Sequence, residues 1–211
     1  MIMQEISKAV VEGKAPVVEE LIKRALDEGY SPGELIQKGL IAGMAVVGER
    51  FKKNEFYVPE VLIAARAMKA GLAALEPLLS EHELEPVATL IIGTVQGDLH
   101  DIGKNLVAMM FEGAGFKVID LGIDVKPSQF VEAIETYKPE IVALSALLTT
   151  TMPAMAETVD TLKISGLREQ VKVIVGGAPV TDSYASKIGA DGYAHDASSA
   201  VDKARELLEI D

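Results

Sequence analysis

The sequence predicts a helical bundle over residues 1–86 followed, over 87–211, by an α/β domain with a doubly wound, five-stranded parallel sheet. Three observations predict this. Up to about Glu85 the apolar residues recur only at helical spacing. From Val87 onward short apolar runs alternate with helical stretches, the pattern of a parallel sheet covered by helices. Between them, Ser80-Glu81-His82-Glu83-Leu84-Glu85-Pro86 is polar, aperiodic and closed by proline, which reads as a linker.

The elements follow in order. Val17, Val18, Leu21, Ile22, Ala25 and Leu26 keep helical spacing, and Gly29 is placed to stop that helix. Ser31-Pro32-Gly33-Glu34 is a capping box with proline at the first helical position. It opens a helix whose Ile36, Leu40, Met44, Val47 and Phe51 share one face. After a loop at Lys52–Tyr57, Pro59 opens another helix carrying Val61, Ala65, Met68, Leu72, Leu75 and Leu79. Short connections between helices predict an antiparallel, four-helix-type bundle. In the second domain, strands are expected at Val87–Gly93, Lys117–Asp120, Ile141–Ser145, Val171–Val175 and near Gly192. Helices are expected near Gly103–Glu112, Ser128–Tyr137, Pro153–Ile164, Asp182–Ile188 and Asp196–Glu209. The expected strand order is the flavodoxin-like 2-1-3-4-5, a Rossmann-like arrangement short of the six-stranded dinucleotide-binding order.

Composition removes several function classes. The chain has no cysteine, which excludes disulfides, zinc–thiolate sites and iron–sulfur clusters. A formal net charge of −12 argues against nucleic acid and anionic membranes as partners. There is no run of 18 apolar residues, and Met-Ile-Met-Gln-Glu-Ile at the N-terminus lacks the basic region of a signal peptide. A cytoplasmic protein is expected.

The most informative stretch is Gly97-Asp98-Leu99-His100-Asp101-Ile102-Gly103-Lys104-Asn105. It places a histidine between two carboxylates on a glycine-flanked loop after the first strand, the end at which open α/β sheets bind ligands. A phosphate loop is a poor match. Five residues separate Gly97 from Gly103 where that motif has four, Asn105 replaces the hydroxyl, and two aspartates would repel a triphosphate. The dinucleotide fingerprint is absent. A divalent ion on Asp98, His100 and Asp101, or a solvated histidine beside two capping aspartates, are the other readings of the loop taken alone.

The loop is followed by Ser145-Ala146-Leu147 after the third strand, extended to Thr149 and Thr151, and by Gly176-Gly177 after the fourth. These three signatures, in this order, resemble the cobalamin-binding domains of cobalamin-dependent methionine synthase and of the small corrinoid proteins of methyltransferase systems. In the N-terminal half, Gly43-Met44, Val47-Gly48-Glu49, Phe51, Val58-Pro59-Glu60 and Met68 resemble the helical cap of the same proteins.

The resemblance implies a cobalamin or related corrinoid cofactor with His100 as the lower ligand of its cobalt, in a loop of Asp98, Asp101, Ile102 and Gly103. It implies that Asp98 takes the other ring N–H of His100, and that Thr151, where methionine synthase has serine, continues the relay. Ser145, Leu147, Thr149, Gly176 and Gly177 match positions around the displaced nucleotide tail; Val58 and Met68 match the apolar lid over the upper face. His195 is expected near the tail and His82 in solvent. The implied function is a methyl carrier cycling between Co(I) and methyl-Co(III), without a substrate pocket of its own. Its implied partners are a substrate-specific methyltransferase, an acceptor methyltransferase and a reductive activator. Methanol, methylamines, betaine and methoxy-aromatics are the candidate methyl sources, with O-demethylation or methylamine use favoured. The alternatives are a mutase subunit, against which the helical half counts, and a cobalamin-sensing regulator, against which the lack of a basic segment counts.

Overall fold

Helix-spaced apolar residues build the first of two units in this computed structural model, which describes residues 2–79 and 86–210. The contacts divide the chain into Met1–Val87 with Gly113–Gly115, and Ala88–Glu112 with Phe116–Asp211. The linker expected at Ser80–Pro86 lies, except for Pro86, outside the described residues.

In the first unit, α1 (Ile2–Val11) buries Ile2, Ile6, Ala9 and Val10, and α2 (Ala15–Asp27) buries Val18, Leu21, Ile22 and Ala25. The single turn α3 (Pro32–Glu34) starts at Ser31, whose hydroxyl accepts the Glu34 N–H at 3.3 Å. The helix then runs as a π segment, Leu35–Ile41, before returning to α geometry in α4 (Ala42–Lys52). This corrects the expected stripe. Leu35, not Ile36, is buried with Leu40, Met44 and Val47, because a π turn steps five residues where an α turn steps four; Ile36 and Phe51 are half-buried. α5 (Val58–Leu75) buries Val61, Ala65 and Met68. It stops before the expected Leu79, since Pro77 in the 3₁₀ turn Glu76–Leu78 cannot supply the helical N–H.

The second unit is an all-parallel sheet in the order β2-β1-β3-β4-β5. Its strands are β1 (Thr89–Thr94), β2 (Lys117–Asp120), β3 (Ile141–Ser145), β4 (Lys172–Gly176) and β5 (Gly192–Ala194). The helices between them are α6 (Ile102–Gly113), α7 (Pro127–Tyr137), α8 (Met152–Ile164), α9 (Asp182–Ile188) and α10 (Ala197–Leu208). Every residue of β1 from Leu90 to Thr94, and of β3 from Ile141 to Leu144, is buried, so both sheet faces are covered, as parallel connections require. Ile91, Val142, Val173, Phe130, Met155 and Val159 share one core cluster. Because all strands run the same way, the loops after β1, β3, β4 and β5 open on one rim. Thr94 pairs with Ser145, Ser145 with Gly176, and Gly176 with Ala194 across that rim.

Candidate functional site

β1 delivers a tight turn at the rim. Gly97 adopts φ +83°, and the Asp98 N–H returns to the Val95 carbonyl at 3.1 Å. The Asp98 side chain is fully buried. Its Oδ1 accepts the His100 backbone N–H at 3.1 Å and lies 2.7 Å from His100 Nδ1. Its Oδ2 accepts the Leu147 N–H at 2.8 Å, the Leu148 N–H at 3.3 Å and the Thr151 hydroxyl at 2.7 Å. The buried Thr151 stands just before α8 with its hydroxyl turned to Asp98 rather than to the helix, so Asp98 joins the ends of the neighbouring strands β1 and β3.

Burial works to raise the Asp98 carboxyl, but the bonds from Thr151, His100 and Leu147 outweigh it and hold the group well below the usual carboxylate range. An ionised Asp98 can only accept. The proton between it and His100 therefore resides on Nδ1, which leaves the lone pair on Nε2 of an imidazole that is half exposed. This is the tautomer that a metal-binding histidine needs, with a carboxylate behind it.

Asn105 Nδ2 donates to Asp101 Oδ2 at 3.1 Å, which fixes Asp101 at the start of α6. Ile102 and Gly103 are exposed in the first turn of that helix. Ser145 is half-buried at the end of β3, whereas Leu147 and Thr149 are exposed in the turn beyond; Leu147 meets Asp98 through its backbone. His195 follows β5 on the same rim, exposed, with Nε2 3.1 Å from Asp196 Oδ2. His82 lies outside the described residues. In the other unit, Met68 is buried in α5 and Val58 is exposed at its start.

The residues present suit a large, flat, partly apolar group bound through a borderline nitrogen donor. Leu99, Ile123, Leu147 and Leu148 stand exposed on the loops after β1, β2 and β3, beside the exposed Ile102 in the first turn of α6. Gly103 costs helix stability, yet a Cβ there would meet nothing of the protein within 4 Å, so packing does not demand the glycine. Its bareness is open to something outside the chain. Gly177 is different: at φ +128° its Cβ would sit 1.9 Å from the Ala146 carbonyl oxygen. That glycine is set by the crowded ends of β3 and β4, a reason internal to the protein.

The Leu148 N–H and Thr94 also belong to the site and were not among the residues expected. A backbone donor leaves no trace in residue type. Thr94 is fully buried at the end of β1 and donates its hydroxyl to the His100 carbonyl at 2.9 Å, a role that an in-strand threonine does not advertise.

The linkage at Asp98 has a sign. Its folded-state pKa lies below the unfolded value of about 3.9, so its stabilising contribution is complete above about pH 4 and is lost as the pH falls through the depressed value. Asp98→Asn is expected to lower stability at neutral pH by about 1–3 kcal/mol, through mispaired buried donors. It should also flatten the acid limb of the urea midpoint plotted against pH; an unchanged acid limb would contradict the ionised, hydrogen-bonded carboxylate.

Comparison with known proteins shows the family. Residues 88–202 match the family described as B12 binding domain, and residues 2–76 match a second family of the same description. The chain is similar to the trimethylamine corrinoid protein of Methanosarcina barkeri, with 44% identity over 211 residues, 99% of this chain and 97% of that one. It is 46% identical over 208 residues to dimethylamine corrinoid protein 1 of Methanosarcina acetivorans, covering 98% and 97%. Among solved structures, a methanol:cobalamin methyltransferase complex from Methanosarcina barkeri superposes with a TM-score of 0.89 at 30% identity, over 99% of this chain and 80% of that one. Among the described residues, no helix is long and apolar enough to cross a membrane.

Proposed function

This chain belongs to the B12-binding domain family, and from that premise we propose that it is a corrinoid methyl-carrier protein of a methylamine-type methyltransferase system. The observation that carries the reading is the His100–Asp98–Thr151 relay on the rim, within a chain that matches amine corrinoid proteins over nearly its whole length. His100 would hold the cobalt through Nε2. Asp98 keeps the Nδ1 proton in place and stays ionised; the Thr151 hydroxyl and the Leu147 and Leu148 N–H groups hold Asp98. Asp101, Ile102 and Gly103 would line the macrocycle's lower side. Ser145, Thr149, Gly176 and Gly177 would take the nucleotide tail, and Val58 and Met68 of the helical unit would serve the upper face. When bound, the corrinoid supplies a cobalt that accepts a methyl cation as Co(I) and yields it from methyl-Co(III).

The carrier works between two partners, a substrate-specific methyltransferase and an acceptor methyltransferase, with a reductive activator to restore Co(I). The methanol methyltransferase complex among the structural neighbours and the amine corrinoid proteins among the relatives support partners of this kind and favour the amine over a methoxy-aromatic donor.

The test is methyl loading. The reconstituted, reduced protein is incubated with radiolabelled tri-, di- or monomethylamine and the cognate amine methyltransferase. Label should enter the protein fraction in proportion to bound corrinoid and leave it when an acceptor methyltransferase and its thiol are added. Loading only from methanol or a methoxy-aromatic would move the donor class, and no loading from any of these systems would end the carrier reading.

A further inference from the structure

α6 carries a charge where helix physics disfavours one. Lys104 is the third residue of the helix and only 2% exposed, although a cation in a first turn opposes the helix dipole and burial penalises it further. Its ammonium donates to Asp120 Oδ2 at the end of β2 and to Asn105 Oδ1 at 2.7 Å. Only the lysine end of this ion pair is buried, since the Asp120 side chain is 41% exposed, and such a pair is weak evidence for stability.

The partners of that pair run back to the loop from both sides. Asp120 Oδ1 accepts the Gly122 N–H at 2.8 Å, and the Gly122 carbonyl accepts the Thr94 N–H at 2.9 Å. Thr94 in turn gives its hydroxyl to the His100 carbonyl. On the other side, Asn105 donates to Asp101, the residue after His100. The bonds therefore form a closed ring around the base of the loop, and Lys104 is the member that joins the helix half to the strand half.

We propose that Lys104, through Asp120, is a positioning residue that sets where the His100 imidazole stands for the corrinoid cobalt. The proposal rests on the lower-ligand reading of His100. Neither Lys104 nor Asp120 need touch the cofactor. Without the ring, the start of α6 and the end of β2 are free to part, and the loop between them loses a fixed height on the rim.

The test uses the full chain. Lys104→Met, Asp120→Asn and the double variant are titrated with cob(III)alamin by absorbance, and the Co(II) form is examined for the histidine nitrogen by electron paramagnetic resonance after ¹⁵N-histidine labelling. Each single variant should bind about 10–100-fold more weakly, the range for loss of an outer partner of a metal ligand. The double variant should lose little more than either single one, because both cut the same ring. At saturating corrinoid the histidine coupling should be weakened or mixed, which a general loss of stability would not produce. In the apo protein, amides from Asp98 to Asn105 should exchange faster while those of β3 keep their protection. Asp120→Glu, which retains the carboxylate, should recover most of the affinity. Wild-type affinity and coupling in the variants would overturn the proposal. Should Lys104→Met fail to fold, Asp120→Asn decides, since that side chain is 41% exposed. Absence of the histidine nitrogen in the wild type itself would defeat the lower-ligand reading, and this proposal with it.

Discussion

Replacing His100 by alanine is expected to remove the histidine nitrogen from the hyperfine pattern of the Co(II) form and to weaken corrinoid binding by at least ~10–100-fold, the range seen for loss of a mere outer partner. The fold should survive. The imidazole is half exposed, and Asp98 keeps the backbone N–H of residue 100 together with its bonds from Leu147, Leu148 and Thr151. Added imidazole should partly restore the nitrogen coupling by occupying the vacated space. Corrinoid labelled in its dimethylbenzimidazole tests the alternative directly: if the tail base supplies the nitrogen in the wild type, or if His100→Ala leaves spectrum and affinity unchanged, the ligand assignment is wrong.

The glycines should divide into two classes. Gly177→Ala is expected to cost about 1–3 kcal/mol from backbone strain alone, and more because the new methyl group falls 1.9 Å from the Ala146 carbonyl oxygen and forces the β3 and β4 ends apart. Corrinoid affinity should fall with stability. Gly103→Ala should do the opposite to the apo protein. It meets no protein atom within 4 Å and improves helix propensity, so the apo chain should gain up to about 1 kcal/mol while corrinoid binding weakens. Urea melts with and without cofactor separate the two. A Gly103→Ala chain that binds corrinoid normally would show that the open space beside α6 is not the cofactor's.

What was legible in the sequence is what residue type encodes. β2 (Lys117–Asp120) and β3 (Ile141–Ser145) have the bounds expected from the sequence. β1 begins at Thr89, two residues after the apolar run does, because its ladder starts with the pair Thr89–Lys117. β4 extends to Gly176, whose partner Ser145 closes the ladder. The π segment was not legible, since Ile36 continues the four-residue spacing of Leu40 and Met44 whereas the buried Leu35 lies five residues from Leu40. At the site, Asp98 and His100 could be named because carboxylate and imidazole are side-chain chemistry, and Thr151 through the family resemblance. The three backbone donors to Asp98, from His100, Leu147 and Leu148, could not. Lys104 left a signal that a search for phosphate loops discards: a lone cation on the apolar face of α6, in line with the buried Ala108 and Phe111.

The bonds to Asp98 Oδ2 come from residues 49, 50 and 53 positions further along the chain. The carboxylate behind His100 is thus held in place by long-range contacts, formed only when β3 has docked beside β1 and α8 has begun. If His100 holds the cobalt, the loop is complete only once that stretch has left the ribosome, and corrinoid loading is expected late in biogenesis. Conversely, a corrinoid that binds only the docked pair suppresses its opening by mass action, by about 2.7 kcal/mol at a hundredfold excess over Kd.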